Sequence, residues 1–351
     1  MKKTVKSDQA SARGGMTDEQ IRLNELSRSR CLDVRVEVAE NPRASAETLE
    51  KLSRDRSFWV RRGVARNPCT PIEVLVKLSD DKRLEVRLDV GDNQRTPTKV
   101  LDKLSRDGEW VIRRAVAENP ATTMKTLERL IRDHEWQVRR SVAENPRTSP
   151  RILDKLSCDG YEQVLTSVAQ NPRLPAEILA RMCDDPEGIV RMGVAQNPAC
   201  PVPLLEKLFG DEDSDVRSIV ARNPNVPVET LIGMSTHKEV VVRANVAWNP
   251  KCPAGILTKL SDDANETVRT AVASNRNTPA GILDKLSHDE SEDVSTFVAY
   301  NPSASLETLE RLIEANKGNP EYEDNIFIMD NYETKKKAAA SELRKKTTET
   351  P

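Results

Sequence analysis

The sequence predicts an all-α solenoid built from about eleven 26-residue repeats, each made of two short helices. Two observations lead to this fold class. Asn recurs at a constant interval of 26 residues, at positions 41, 67, 93, 119, 145, 171, 197, 223, 249, 275 and 301. Each of these Asn residues also has a Leu eight positions after it and a Val three positions before it. A fixed period of this length indicates a stacked array in which each repeat contacts its neighbours.

The first helix of each repeat is predicted shortly after the Asn, which is followed by Pro in most units. Two Leu residues three positions apart, such as Leu75 and Leu78, share one face of this helix. At its start we expect Thr to be the N-cap and Pro to be the first helical residue, where no N–H is needed. The pairs concerned are Thr70-Pro71, Thr96-Pro97 and Thr278-Pro279.

The second helix of each repeat is predicted over the pattern Val-Arg-x-x-Val-Ala, with its two Val residues on the inner face. The Ala lets a neighbouring helix come close, and the following Asn-Pro ends the helix because the residue before Pro disfavours the α conformation. Helices of about ten residues are marginal alone, so the repeats have to stack.

The repeats are assigned to residues 17–315. Residues 1–16 are expected to be a flexible N-terminal segment. Residues 316–351 are expected to be a charged C-terminal tail, mobile or loosely helical. An apolar group in this tail is expected to fold back as a cap, through Ile326, Phe327, Ile328 and Met329.

Composition limits the classes of partner. The 351 residues carry a net charge of −2, with 31% charged and 3% aromatic residues, so the whole chain offers no case for nucleic acid or an anionic membrane. No apolar run approaches the roughly 18 residues of a transmembrane helix. The N-terminal residues MKKTVKSDQASARGG lack the apolar core of a secretion signal. We therefore expect a cytoplasmic location and no contact with membranes.

Six cysteines share no metal-binding or redox spacing, and we interpret them as reduced structural thiols. They are Cys31, Cys69, Cys158, Cys183, Cys200 and Cys252.

The elements Asn-Pro, Leu-x-x-Leu-Ser-x-Asp and Val-Arg-x-x-Val-Ala resemble the variant leucine-rich repeat of bacteria, from residue 15 to about residue 314. The resemblance implies a right-handed superhelix of alternating short helices, α and 3₁₀, without strands, similar to HEAT and armadillo arrays. The founding family member carries an N-terminal cysteine cluster for an iron–sulfur centre. This chain has only Cys31 in that region, so the resemblance implies no cofactor here.

Arginine follows the first Val of the second helix in nine of the eleven repeats. These residues are Arg35, Arg61, Arg87, Arg113, Arg139, Arg191, Arg217, Arg243 and Arg269. Such a stripe could bind phosphates. However, an Asp lies six residues earlier in most repeats, and this pattern resembles the ladder of HEAT repeats, in which carboxylates pair with arginines of adjacent layers. We interpret the stripe as structural, and the Asn series as caps for turn backbone groups.

Function is expected where the repeats differ from one another. Three variable positions share one face of the second helix: one before its first Val, two after that Val, and the residue before Asn. Aromatic residues among arginines suit protein hot spots or base stacking. A drifting solvated surface, or packing of the aromatic rings under the turn, would also explain them. The candidate partner-binding residues are Phe58, Trp59, Arg62, Arg66, Trp110, Arg114, Trp136, Arg140, Met192, Trp248 and Tyr300.

Charge differs between the two halves of the array. Residues 41–144 hold 22 Lys/Arg and 17 Asp/Glu, whereas residues 197–300 hold 10 and 15. A basic half and an acidic half suit a partner of matching polarity, or self-association of the chain.

Catalytic chemistry finds little support in the sequence. The three histidines, His134, His237 and His288, fall in inter-helix loops without a matched partner, and no Gly-rich phosphate loop is present. No catalytic or metal site is predicted. We predict a non-enzymatic scaffold that binds a protein or peptide on the variable face. The alternative is nucleic-acid binding through the basic, Trp-containing N-terminal half.

Overall fold

The computed structural model describes residues 17–317 and 326–348. The predicted flexible segment 1–16 lies outside the described residues, as do the side chains of Ile326 and Phe327. The chain divides into two compact units, unit 1 (residues 1–168) and unit 2 (residues 169–351).

Every regular element within the described ranges is an α-helix, including those that the resemblance assigned to the 3₁₀ type. First helices alternate with second helices, and together they form an all-α solenoid of 26-residue repeats, as predicted. The first helices are α1 (Asp18–Leu26), α3 (Ala46–Leu52), α5 (Ile72–Leu78), α7 (Thr98–Leu104), α9 (Met124–Leu130), α11 (Pro150–Leu156), α13 (Ala176–Met182), α15 (Val202–Phe209), α17 (Val228–Met234), α19 (Ala254–Leu260), α21 (Ala280–Leu286) and α23 (Leu306–Ala315). The second helices are α2 (Leu32–Glu40), α4 (Phe58–Arg66), α6 (Leu84–Asp92), α8 (Trp110–Glu118), α10 (Trp136–Glu144), α12 (Glu162–Gln170), α14 (Gly188–Gln196), α16 (Ser214–Arg222), α18 (Val240–Trp248), α20 (Glu266–Ser274) and α22 (Glu292–Tyr300).

The repeated apolar residues form the core of each unit. Leu75 and Leu78 of α5 are buried, as are Val60 and Val64 of α4, and the same positions are buried in the later repeats, whereas Leu26 of α1 is 38% exposed. Burying one such side chain contributes about 1.5–3 kcal/mol relative to leaving it in water. The predicted inner faces of both helices are therefore confirmed.

Successive second helices pack closely within each unit, α2 on α4 in unit 1 and α14 on α16 in unit 2. Small residues make this possible. A Cβ placed on Gly63 would lie 2.9 Å from the Cβ of Ala39 in the preceding repeat. Larger residues at this contact would push the two helices apart.

The predicted N-cap of the first helix is wrong by one residue. Pro71 is itself the N-cap of α5, with φ −59° and ψ 146°, and Pro97 and Pro279 occupy the same place in α7 and α21. Thr70 is buried instead, and its Oγ1 donates to the carbonyl oxygen of Val64 at 2.6 Å. The hydroxyl is a second donor to this carbonyl in the last turn of α4, which also accepts the N–H of Asn67 at 3.2 Å.

Ser or Thr takes the N-cap position where Pro is absent. The side chains of Ser45, Thr123, Ser149 and Ser305 each accept a hydrogen bond from the N–H three residues later. Pro supplies the extended φ and ψ of a cap without a side-chain acceptor, whereas Ser and Thr supply the acceptor.

The C-terminal helix α24 (Ile326–Thr348) packs against α22 and α23. Ile328 is fully buried. The Nδ2 of Asn331 donates to the carbonyl oxygens of Ala299 and Asn301, both at 3.0 Å. The idea that the tail caps the array stays a prediction, and these contacts are in its favour.

Candidate partner-binding surface

The repeated arginines form a ladder of ion pairs between neighbouring repeats. In each pair the Arg Nε donates to Oδ2 of an Asp twenty positions later, at 2.6–2.8 Å, and Nη2 donates to Oδ1. This is a bidentate geometry. The pairs in the described ranges are Arg35–Asp55, Arg61–Asp81, Arg87–Asp107, Arg113–Asp133, Arg139–Asp159, Arg191–Asp211, Arg243–Asp263 and Arg269–Asp289. The structural interpretation of the arginine stripe is confirmed.

The same guanidinium groups also bind the turn of their own repeat. Nη1 of Arg113 donates to the backbone carbonyl of Asp107 at 2.9 Å. Burial of Asp133 would raise the pKa of its carboxyl, but the hydrogen bond and charge of Arg113 outweigh that effect, and the pKa is lowered. An arginine with its donors engaged in this way is not open to a phosphate group.

Arg217 is the one of the nine arginines that pairs differently. His237 stands where neighbouring repeats carry an Asp, and Arg217 pairs with Glu239 instead. The Nδ1 of His237 accepts the backbone N–H of Glu239 at 3.2 Å. His237 thereby replaces the turn contact of the missing carboxylate, while Glu239 replaces its charge.

The repeated asparagines bind backbone groups in two repeats. The Nδ2 of Asn197 donates to the carbonyl oxygens of Ala169 and Asn171 at 2.6 and 2.8 Å. Its Oδ1 accepts the N–H of Ala199 at 2.8 Å. The predicted capping role is confirmed by this last bond. The two bonds to the preceding repeat were not predicted, and they satisfy carbonyls at the end of its second helix.

The cysteines and histidines of the described residues form neither a disulfide nor a metal-binding group. The cysteines are free there, and burial raises the pKa of Cys183 to about 11 and of Cys200 and Cys252 to about 12. Among the described residues, no group of three or more His, Cys, Asp or Glu could hold a metal ion. No described helix is long and apolar enough to cross a membrane.

Most side chains of the variable face are accessible to solvent in both units. Trp59 is 49% exposed and Trp248 40%, and Arg66, Arg114 and Arg140 are also exposed. Two positions of this face, Ser218 and Ala244, are buried. The face therefore consists mainly of side chains that the scaffold does not cover.

Aromatic rings and guanidinium groups lie together at the start of the second helices of unit 1. The guanidinium of Arg62 lies 5.2 Å from the ring centroid of Trp59, and that of Arg114 lies 5.8 Å from Trp110. Trp136 stacks on Tyr161 of the next repeat at 6.2 Å between centroids. The Phe58, Trp110 and Trp136 side chains are half-buried. They combine packing at the turn with an accessible edge.

Two candidate arginines are held by a carboxylate that the sequence did not single out. Nε of Arg62 and Nε of Arg66 donate to the two oxygens of Asp89 at 2.7 and 3.0 Å. Asp89 is buried and occupies the place of Gly63 and Ala115 in neighbouring repeats. A charged residue in a column of small residues was the signal that could have revealed it.

The remaining arginines of the candidate set form weaker pairs. Arg114 binds Glu118 and Arg140 binds Glu144, four residues later on the same helix, at 3.1 and 2.7 Å. All four side chains are exposed, so each pair contributes only about 0.3–0.5 kcal/mol.

The candidates of unit 2 lie on three separate second helices. Met192 of α14 is half-buried. The guanidinium of Arg222 lies 5.8 Å from the ring centroid of Trp248 on α18. Tyr300 of α22 meets Phe297 edge to face at 6.0 Å. One repeat separates each of these helices from the next, so the structure distributes these candidates along the array.

The family model of the leucine-rich repeat variant matches residues 32–57, 162–187 and 266–291, and each match begins at the first residue of a second helix.

A solved structure described as a leucine-rich repeat variant with a novel repetitive structural motif is 28% identical, with 63% of this chain and 87% of that chain covered and a TM-score of 0.42. An engineered protein is 14% identical, with 92% and 98% covered and a TM-score of 0.28. Kap121p bound to Ste12p is 12% identical, with 89% and 42% covered and a TM-score of 0.31. No curated protein matches the chain. Three repeats of this all-α solenoid are therefore similar to the leucine-rich repeat variant.

Proposed function

We propose that this chain is a non-enzymatic scaffold that binds a protein or peptide partner on the variable face of its second helices. One observation carries the proposal. The residues that repeat are engaged in core packing and in the Arg–Asp and Asn ladders, whereas the residues that vary are mostly exposed. Solenoids commonly use such a surface for recognition.

The exposed aromatic residues are the natural anchors of this surface. Trp and Arg are enriched among residues that dominate binding energy, and Trp59 and Trp248 are large side chains that the scaffold leaves exposed.

Exposed free cysteines such as Cys69 and Cys158 suit a reducing compartment, and we propose that the scaffold acts in the cytoplasm.

The ion pairs weigh against nucleic-acid binding, the alternative raised by the sequence. The ladder arginines of the basic half bind aspartates, and Arg62 and Arg66 bind Asp89. One face of Trp136 is covered by Tyr161. A gel-shift titration at low salt checks this point, and we expect no shift of single- or double-stranded oligonucleotides.

The test of the scaffold is a quantitative pull-down from the native host with the full chain as bait. The test variant combines Trp59→Ala, Arg140→Ala and Trp248→Ala. The control variant is Val76→Ala, because Val76 is equally exposed but lies on a first helix.

We expect the captured partner to be lost with the triple variant and retained with the control, while both keep the circular dichroism of the parent. Equal capture by the triple variant would remove the variable face as the binding surface.

A further inference from the structure

A row of exposed cations follows the turns before the second helices of unit 1. This basic row consists of Arg28, Arg30, Arg56, Lys82 and Arg132. All five side chains are exposed. Unlike the ladder arginines, none of them is in an ion pair within the described part of the chain, so their charges are available to a partner.

A row of large apolar side chains runs beside it. This apolar row consists of the first residues of five successive second helices: Leu32, Phe58, Leu84, Trp110 and Trp136. Leu32 and Leu84 are each 37% exposed, and the other three are half-buried. Arg83, which pairs with Glu85 and lies outside the basic row, also places its guanidinium 4.3 Å from the ring centroid of Phe58 in the preceding repeat.

The scaffold does not require either row. In unit 2 the position equivalent to Arg56 holds Pro186, Glu212, Lys238, Ala264 and Glu290, and the side chains of the two glutamates are 91% and 90% exposed. The position equivalent to Trp110 holds Gly188, Ser214, Val240, Glu266 and Glu292, of which only Val240 is a large apolar residue. Because the same repeat folds with these residues, the repeat does not require cations or aromatic rings at these positions.

We propose that this edge of unit 1 binds an acidic peptide segment in the polyproline II conformation, with an apolar residue at every third position. The inference rests on the proposed scaffold function and specifies the chemistry of its partner. Charge complementarity selects the acidic residues, which meet the basic row. The apolar residues meet the apolar row, as in other grooves lined by aromatic side chains.

The spacing of the repeats supports this conformation. Packed helices lie about 8–10 Å apart, and three residues of polyproline II advance about 9.3 Å. One apolar residue of the peptide therefore reaches each repeat, and the two residues between can carry the acidic groups.

The experiment measures the fluorescence anisotropy of a labelled peptide of five Leu-Glu-Pro units titrated with the full chain. A peptide of the same composition with the leucines at irregular intervals is the register control. We expect the periodic peptide to bind about tenfold more tightly than the control peptide, and its affinity to fall with added salt.

The test variant is the double reversal Arg56→Glu with Arg132→Glu, which alters only exposed side chains. We expect it to weaken binding about fivefold to tenfold, in line with two exposed charge contacts. The matched control is Lys238→Glu, at the position of unit 2 equivalent to Arg56, which should change the affinity less than twofold.

Several outcomes would overturn the inference: equal affinity for both peptides, no effect of the double reversal, or tighter binding of a single-stranded oligonucleotide that the double reversal abolishes. Failure here is distinguishable from failure of the scaffold function. If the peptides do not bind but the pull-down still depends on Trp59, Arg140 and Trp248, the proposed scaffold function is retained and the proposed acidic peptide partner is rejected.

Discussion

Replacing one buried ladder asparagine should loosen two repeats at once. Asn249 is fully buried, and its Nδ2 donates to the carbonyl oxygens of Ala221 and Asn223 at 2.7 and 3.0 Å. Its Oδ1 accepts the N–H of Lys251 at 2.8 Å. Each hydrogen bond contributes about 0.5–1.5 kcal/mol net. We therefore expect Asn249→Ala to lower the local free energy of unfolding by about 2–4 kcal/mol.

A second substitution at the same site separates hydrogen bonding from shape. Asn249→Asp keeps the size of the side chain, but at neutral pH it places a carboxylate against the two carbonyl oxygens of Ala221 and Asn223. It should therefore destabilise more than Asn249→Ala, and less so in acid, where a protonated carboxyl can donate. The control is Asn225→Ala, since Asn225 makes one exposed bond, to the Pro198 carbonyl at 2.6 Å.

Hydrogen exchange read by mass spectrometry is the suitable assay, because stacked repeats can open locally before the chain unfolds. A loss of 2–4 kcal/mol corresponds to exchange about 30-fold to 1,000-fold faster in α16 and α18, at 1.4 kcal/mol for each factor of ten. If Asn249→Ala exchanged no faster than Asn225→Ala, the ladder would contribute nothing and the reasoning would be refuted.

Three further predictions concern titrating groups. Burial raises the pKa of Cys252 to about 12, so iodoacetamide at pH 8 should modify exposed Cys69 and spare Cys252 in the folded chain; mass spectrometry showing equal modification contradicts this. Surrounding protein atoms and nearby carboxylates raise the pKa of Asp92 to about 6 although its side chain stays accessible. Because its folded pKa exceeds the unfolded value of about 3.9, stability should fall as pH rises from about 4 to 6, and Asp92→Asn should remove that part of the slope in urea unfolding. Arg113 lowers the pKa of Asp133 against the effect of burial, so this pair stabilises the fold above about pH 4, and its contribution is lost as pH falls through the lowered pKa. Asp133→Asn should therefore flatten the acidic part of the plot of unfolding free energy against pH. An unchanged slope there would show that the pair is not linked to acid unfolding.

The repeated ladders could be predicted from sequence because both members recur in register, as Asp55 and Arg61 do. The spacing showed only their separation of six, and the resemblance to HEAT repeats implied pairing between adjacent layers; the structure pairs Arg61 with Asp81 of the next repeat. The cap at Thr70 was misplaced because its acceptor, the Val64 carbonyl, is brought near by the turn and not by the local pattern. Asp89 was missed because its partners Arg62 and Arg66 belong to another repeat.

Ion pairing also determines which candidate arginines can bind a partner at a small free-energy cost. Removing Arg62 would leave the buried carboxylate of Asp89 short of a partner, which costs several kcal/mol whether or not a ligand binds. Loss of binding on mutation of Arg62 would therefore report on folding as much as on recognition. Arg140 pairs with an exposed Glu144 and can exchange it for a carboxylate of a partner with little penalty. Trp59 and Trp248 lose no buried polar contact when shortened. The binding surface should accordingly be mapped first with Trp59, Arg140 and Trp248, because their loss affects recognition without opening the scaffold.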